Sequence, residues 1–132
     1  MHVIAGKAIC AEEALTPEYK EYAKNVVINS KAMCEEFVKM GYHVVTGGTD
    51  NHLFLLDLSE SHPTLTGKML QEELDNNHIT LNKNCVPNEK RTPAETSGVR
   101  IGTAAMTTKG WKAEDFIKAA RKIDEVIKGM KL

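Results

Sequence analysis

Arg100 is the side chain in this sequence with the clearest chemical potential. It stands in Ser97-Gly98-Val99-Arg100-Ile101-Gly102-Thr103, an apolar, strand-like run with a glycine on either side. A guanidinium placed there needs a partner, because burying an unpaired charge is costly. Its planar fork of donors suits a two-point grip on a carboxylate. That carboxylate belongs either to a bound ligand or to one of the chain's own acids, such as Glu95.

Asn82-Lys83-Asn84 is a second candidate. It is polar on both sides of a strand end, so it either presents amide and ammonium donors to a ligand or forms a solvated turn. Other chemistries find less support. The histidines His2, His43, His52, His62 and His78 are scattered, with none at helical or cysteine spacing for a metal. His52, beside Asp50 and Asn51, reads as a hydrogen-bonded turn residue in preference to a catalytic base. Gly47-Gly48 lacks the ending of a phosphate loop and the third glycine of a dinucleotide fingerprint, which leaves a tight turn. No serine occupies a glycine-flanked nucleophile elbow.

The elements that must hold these residues follow from periodicity. Residues 1–15 permit a helix. Thr16-Pro17 punctuates it, and apolar residues at three- and four-residue steps from Tyr19 to Met40 predict a long amphipathic helix ended by Gly41. Tyr42–Thr46 and His52–Leu58 predict two strands joined through the glycine turn. Thr66 precedes a short helix over 67–77, and Ile79–Asn82 predicts another strand. Residues 84–97 are irregular, with Pro87 and Pro93 and little periodicity. Gly98–Thr103 predicts a strand with Val99 and Ile101 on one face and Arg100 on the other. Thr107-Thr108 is expected to open a last helix whose buried side runs from Trp111 to Ile127. The sum is an α+β fold: a two-layer sandwich, its small and mostly antiparallel sheet covered by helices on one face and preceded by long helices. Those long helices carry more apolar face than the short strands can cover. That excess suggests a piece of something larger, or an oligomer.

Bulk properties narrow the function. At 132 residues the chain suffices for one compact domain. A net charge of -1 leaves no basic excess for nucleic acid. No apolar run approaches the ~20 residues that span a bilayer, so no membrane partner is expected. Cys10, Cys34 and Cys85 are far apart and odd in number, as free thiols of a reducing, cytoplasmic compartment would be.

Five motifs occur in a fixed order: His2-Val3-Ile4-Ala5-Gly6-Lys7-Ala8, Thr46-Gly47-Gly48-Thr49-Asp50-Asn51-His52-Leu53, Thr66-Gly67-Lys68, Asn82-Lys83-Asn84 and Thr96-Ser97-Gly98-Val99-Arg100-Ile101-Gly102-Thr103. Together they resemble the C-terminal portion of serine hydroxymethyltransferase, a pyridoxal-phosphate enzyme of fold type I. The resemblance implies interconversion of serine and glycine, with transfer of a one-carbon unit to tetrahydrofolate. It implies that Arg100 binds the substrate carboxylate, that Asn84 lies at the folate pterin and that Lys83 is close by. It also implies a single C-terminal domain, 1–132, with residues 1–41 as a helical bridging segment and 42–132 as the small α+β domain.

The departures are as informative. The family's Schiff-base lysine follows a histidine, and this sequence has no His-Lys pair. Many relatives carry Ser-Pro-Phe where Thr92-Pro93-Ala94 stands, and proline where Ala104 stands. The expectation is that the large cofactor-binding domain is absent, that this chain binds no pyridoxal phosphate and that it is inactive alone. The other expectation is a non-catalytic binding or self-association module that keeps the small-domain fold. In either case a homo-oligomer is expected.

Overall fold

A computed structural model describes residues 1–130 of the chain. Helix α1 (His2–Ala14) leads into α2 (Pro17–Lys39), which opens as the sequence predicts. Thr16 Oγ1 accepts from the Tyr19 N–H at 3.2 Å, and Pro17 sits in the first turn, where its missing N–H costs nothing. Gly41 ends α2 at φ +89, with Gly41 N and Tyr42 N donating back to the Val38 and Phe37 carbonyls. That left-handed cap is the one the glycine was expected to make.

Four short strands follow: β1 (His43–Val44), β2 (Leu53–Asp57), β3 (Asn82–Asn84) and β4 (Gly98–Gly102). They form one antiparallel sheet in the order β1-β2-β4-β3. Between them lies α3 (Gly67–Asn76), and after them α4 (Ala104–Thr108) and α5 (Ala113–Gly129). The helices α2, α3 and α5 share one buried core with the sheet. Phe37, Leu56, Leu70, Leu74, Val99, Ile123 and Ile127 are all within 2% of complete burial. Each such side chain contributes about 1.5–3 kcal/mol on leaving water. Polar ties between α5 and the α2 end reinforce that layer. Tyr42 donates to Asp124 Oδ1 at 2.9 Å, and Arg121 Nε donates to Glu36 Oε1 of α2 at 2.7 Å. The α+β sandwich with helices on one sheet face is therefore the architecture present.

Three elements differ from expectation. The first strand stops at Val44, because Val45–Gly47 turns as a 3-10 segment with Thr46 and Gly47 at positive φ. The expected strand at Ile79–Asn82 begins only at Asn82. Residues 77–79 are used instead to close α3: His78 N donates to Asp75 O and Ile79 N to Leu74 O, with His78 at φ +59. Thr107-Thr108 does not open the last helix. Thr107 is buried near the end of α4, where its hydroxyl donates to Thr103 O at 2.8 Å and accepts from Asn29 Nδ2 at 2.9 Å. The chain breaks at Gly110 (φ +92), and α5 starts after Lys112, whose N–H donates to Asp115 Oδ2.

The opening helices are only partly covered. Residues 1–15 are exposed throughout, with Ile4 64% and Leu15 79% accessible. In α2 the buried face begins at Val26, and Tyr19 and Ile28 remain 46% accessible. Cys10, Cys34 and Cys85 are free thiols.

Two glycines test this packing in opposite directions. A Cβ at Gly67 would lie 2.2 Å from both Gly98 O and Thr96 Oγ1, whereas one at Gly6 in α1 meets nothing within 4 Å. Gly67→Ala is expected to lower unfolding stability by about 1–3 kcal/mol in a urea titration. Gly6→Ala is expected to leave it unchanged or raise it by less than about 1 kcal/mol.

Candidate functional site

The open face of the sheet is built by the two-residue period of its strands. Val99 and Ile101 of β4 point into the core, so Arg100 points the other way and is exposed. Its register partners are Leu55 on β2 and Asn82 on β3. Gly98 and Gly102 lie before and after it on the same face, and Asn84 sits opposite Gly98. Arg100 is thus framed by two glycines, two asparagines and Leu55, with Asp57 opposite Gly98 on the same face. Among the described residues no carboxylate pairs with it. Glu95, the example of an internal acid that could have paired with it, is instead met by the Thr92 hydroxyl at 3.4 Å.

The structure brings Asn84 to the Arg100 face and turns Lys83 away from it. Lys83 pairs across from the core residue Val99. Its N–H donates to Gln71 Oε1 at 2.9 Å and its ammonium to the Ala94 carbonyl at 2.7 Å. Lys83 therefore ties the loop after β3 to α3 and to its own far end. Asn84 is half-buried, and its amide N–H donates to Cys85 O at 2.8 Å, leaving Oδ1 as an acceptor.

The irregular stretch 85–97 is organised by two residues that periodicity could not single out, Glu89 and Arg91. The Glu89 carboxylate accepts from Ser97 Oγ at 2.6 Å, Ser97 N at 2.7 Å, Arg91 N at 2.9 Å and Val86 N at 3.3 Å. The Arg91 guanidinium donates to the carbonyls of Leu65 and Pro63, fastening the loop to the segment before α3. Their only sequence signal is a charged run, Asn88-Glu89-Lys90-Arg91, between two prolines.

Several motifs meet in space. The first N–H groups of α3, from Gly67 and Lys68, donate to Thr96 O (3.0 Å) and Glu95 O (2.9 Å). Such groups have no partner within their own helix and must find one outside it. Thr66 caps the helix by accepting from Met69 N at 3.1 Å. At the other end of β4, Thr103 N donates to His52 O at 3.0 Å and Thr103 Oγ1 to Val26 O at 3.1 Å. Within the turn, Thr49 Oγ1 donates to Leu53 O (2.6 Å) and Asn51 Oδ1 accepts from Leu53 N (3.0 Å). His52 lies in the turn before β2 and is hydrogen-bonded there through its backbone. Its carbonyl is the working group, and its exposed imidazole has no hydrogen-bond partner among the described residues.

A cavity of about 870 Å³ lies between α2 and the 45–55 segment. It reaches Leu53 and Leu55 but includes none of Arg100, Lys83 and Asn84, and two of its charged residues, Lys31 and Asp50, pair at 3.4 Å. Among the described residues no three His, Cys, Asp or Glu side chains converge to hold a metal. No described helix is long and apolar enough to cross a membrane.

With this geometry in hand, comparison with known proteins is decisive. The sequence matches the family model for serine hydroxymethyltransferase over residues 1–123. The chain belongs to this family. A serine hydroxymethyltransferase of Phytoplasma australiense is 48% identical over 128 residues, covering 97% of this chain and 31% of the relative. The chain thus spans about a third of that relative's length. The serine hydroxymethyltransferase match takes in every strand of the sheet and all three of Lys83, Asn84 and Arg100.

The most strongly perturbed acid beside the site is Glu89. Desolvation pushes its pKa up. The bonds it accepts from the Ser97 hydroxyl and from the N–H groups of Arg91, Ser97 and Val86 outweigh that, taking it from 4.5 to about 2. A carboxylate whose folded pKa is depressed stabilises the fold fully above its unfolded value and loses that contribution as pH falls through the folded value. Carboxyl NMR of the chain should therefore show Glu89 titrating near pH 2. Glu89→Gln should narrow the stability difference between pH 6 and pH 2, and Lys90→Gln should not.

Proposed function

We propose that this chain forms the substrate-carboxylate anchor and part of the folate wall of a serine hydroxymethyltransferase, which interconverts serine and glycine with transfer of a one-carbon unit to tetrahydrofolate. One observation carries the reading: Arg100 is a guanidinium displayed on an open sheet face without a carboxylate partner among the described residues, inside a family match that includes it. A fork of donors with glycines beside it accepts a planar carboxylate end-on without a clash. Holding both carboxylate oxygens fixes the rotation of the amino acid about its Cα, which is a positioning contribution. Asn84, on the same face, offers an amide carbonyl to a polar heterocycle such as the folate pterin. Lys83 shapes the adjoining loop through Ala94.

The family's chemistry relies on pyridoxal phosphate, which supplies the electron sink when bound. The residues described here do not make a seat for it. A lysine that bonds covalently to such a cofactor is activated by a desolvated or electropositive setting. All described lysines but Lys83 are exposed, and the Lys83 ammonium is committed to a backbone carbonyl. The reading therefore assigns the cofactor seat to a part of the enzyme outside the described residues. A complete enzyme is one in which the upstream part of a family member precedes this segment, in the cytoplasm.

A second reading has its own observation. The exposed apolar residues Val3, Ile4 and Ile9 on α1, with Leu15 at its C-terminal end, favour self-association of the isolated chain. A monomer by light scattering at all concentrations would remove it.

Two outcomes test the main reading. In the complete enzyme, Arg100→Lys is expected to raise the KM for serine by at least about tenfold, because one ammonium cannot replace a two-point grip. An unchanged KM would refute the anchor. The isolated chain, mixed with pyridoxal phosphate, reduced with borohydride and desalted, is expected to retain no stoichiometric cofactor absorbance. Labelling of a single lysine would contradict this.

A further inference from the structure

The groups assigned to the carboxylate and the pterin lie on adjacent strands, so their spacing depends on how β3 and β4 are joined. These strands pair only from Asn82↔Arg100 to Asn84↔Gly98. The connection between them, residues 85–97, has no regular structure beyond turns and passes through Pro87 and Pro93. Three paired residues are a weak lock on register, and a slip by one residue would move Asn84 to the opposite face.

We propose that Glu89 is a positioning residue for this site, its carboxylate closing the β3–β4 hairpin and so fixing where Asn84 stands relative to Arg100. This rests on the reading of those two residues given above. The geometry is specific. Val86, whose N–H donates to Glu89, comes two residues after Asn84. Ser97, which donates both its N–H and its hydroxyl, comes three residues before Arg100. One side chain therefore holds both ends of the loop, and Arg91 N completes its contacts. The closure is tight as well as polar: a Cβ at Gly98 would lie 2.4 Å from Val86 Cγ1 and 2.7 Å from Leu56 O.

The chemistry calls for a carboxylate. Four donors converge on Glu89, and an ionised carboxylate is acceptor-only on both oxygens. An amide would turn its own NH2 toward two of those donors. No cation neutralises Glu89 among the described residues, since the Arg91 guanidinium is spent on Leu65 and Pro63. The charge is held by hydrogen bonds from the loop it organises. Nothing about Glu89 touches substrate, and its effect passes through the strand ends.

The test is made in the complete enzyme. Glu89→Gln is expected to raise the KM values for serine and for tetrahydrofolate together, each by roughly ten- to a hundredfold, as misplacement of binding groups does. Glu89→Asp, which keeps an acceptor-only group, should recover most of that loss. Lys90→Gln, at the exposed neighbour, should change neither KM. If Glu89→Gln does not fold, Ser97→Ala carries the test by deleting one of the four donors, with a smaller rise in both KM values expected. Values within about twofold of the parent for the Glu89 and Ser97 variants, while Arg100→Lys raises the serine KM, overturn the proposal and leave the anchor standing. Should Arg100→Lys also leave the serine KM unchanged, the anchor reading fails and this proposal falls with it. A loss of stability with both KM values intact makes Glu89 purely structural and likewise overturns it.

Discussion

Side-chain alternation along β4 is the constraint on which the rest of the molecule depends. Val99 and Ile101 must face the helices, since they help to fill the core shared by α2, α3 and α5. With a period of two, Arg100 is then forced onto the uncovered face. A one-residue slip would send its guanidinium into the core at a cost of several kcal/mol and expose both apolar side chains. Stability and site presentation are therefore the same fact, because the residues that bury β4 also orient its one charge.

Around that strand the polar contacts work as fasteners. The α3 N-terminus donates to Glu95 and Thr96, Thr103 ties the far end of β4 to α2 and to the His52 carbonyl, and Arg91 binds the carbonyls of the segment before α3. Each net hydrogen bond contributes only about 0.5–1.5 kcal/mol. Their value lies in fixing a short sheet whose strands are two to five residues long. Thr96, held at φ +58 with its hydroxyl on Gly98 O, and Gly67, which admits no side chain, mark where backbone approaches backbone.

What was legible in the sequence follows from which residues obey a period. The long helix α2, its threonine cap and its glycine stop were visible because capping chemistry is local. The faces of β4 were visible because apolar and charged residues alternate there. Residues 77–79 misled because the left-handed closure of α3 uses His78 where glycine is usual. Thr107 misled because a threonine before an apolar stripe reads as a cap, and only tertiary contact with Asn29 shows otherwise. Arg100 and Asn84 could be named from their motifs. The direction of Lys83 could not, since it depends on register across β4. Glu89 and Arg91 stayed hidden because their partners, mostly backbone groups, lie eight to twenty-eight residues away or within a turn, and no periodicity reports such contacts.

The chain belongs to the serine hydroxymethyltransferase family and spans about a third of a relative's length. The most direct measurement is a crystal structure of the complete enzyme with glycine or serine bound. The account predicts both carboxylate oxygens of the amino acid within hydrogen-bonding distance of the Arg100 guanidinium, on the face shared with Asn84. A carboxylate held by other residues, with Arg100 left in solvent or turned to an internal acid, would contradict it.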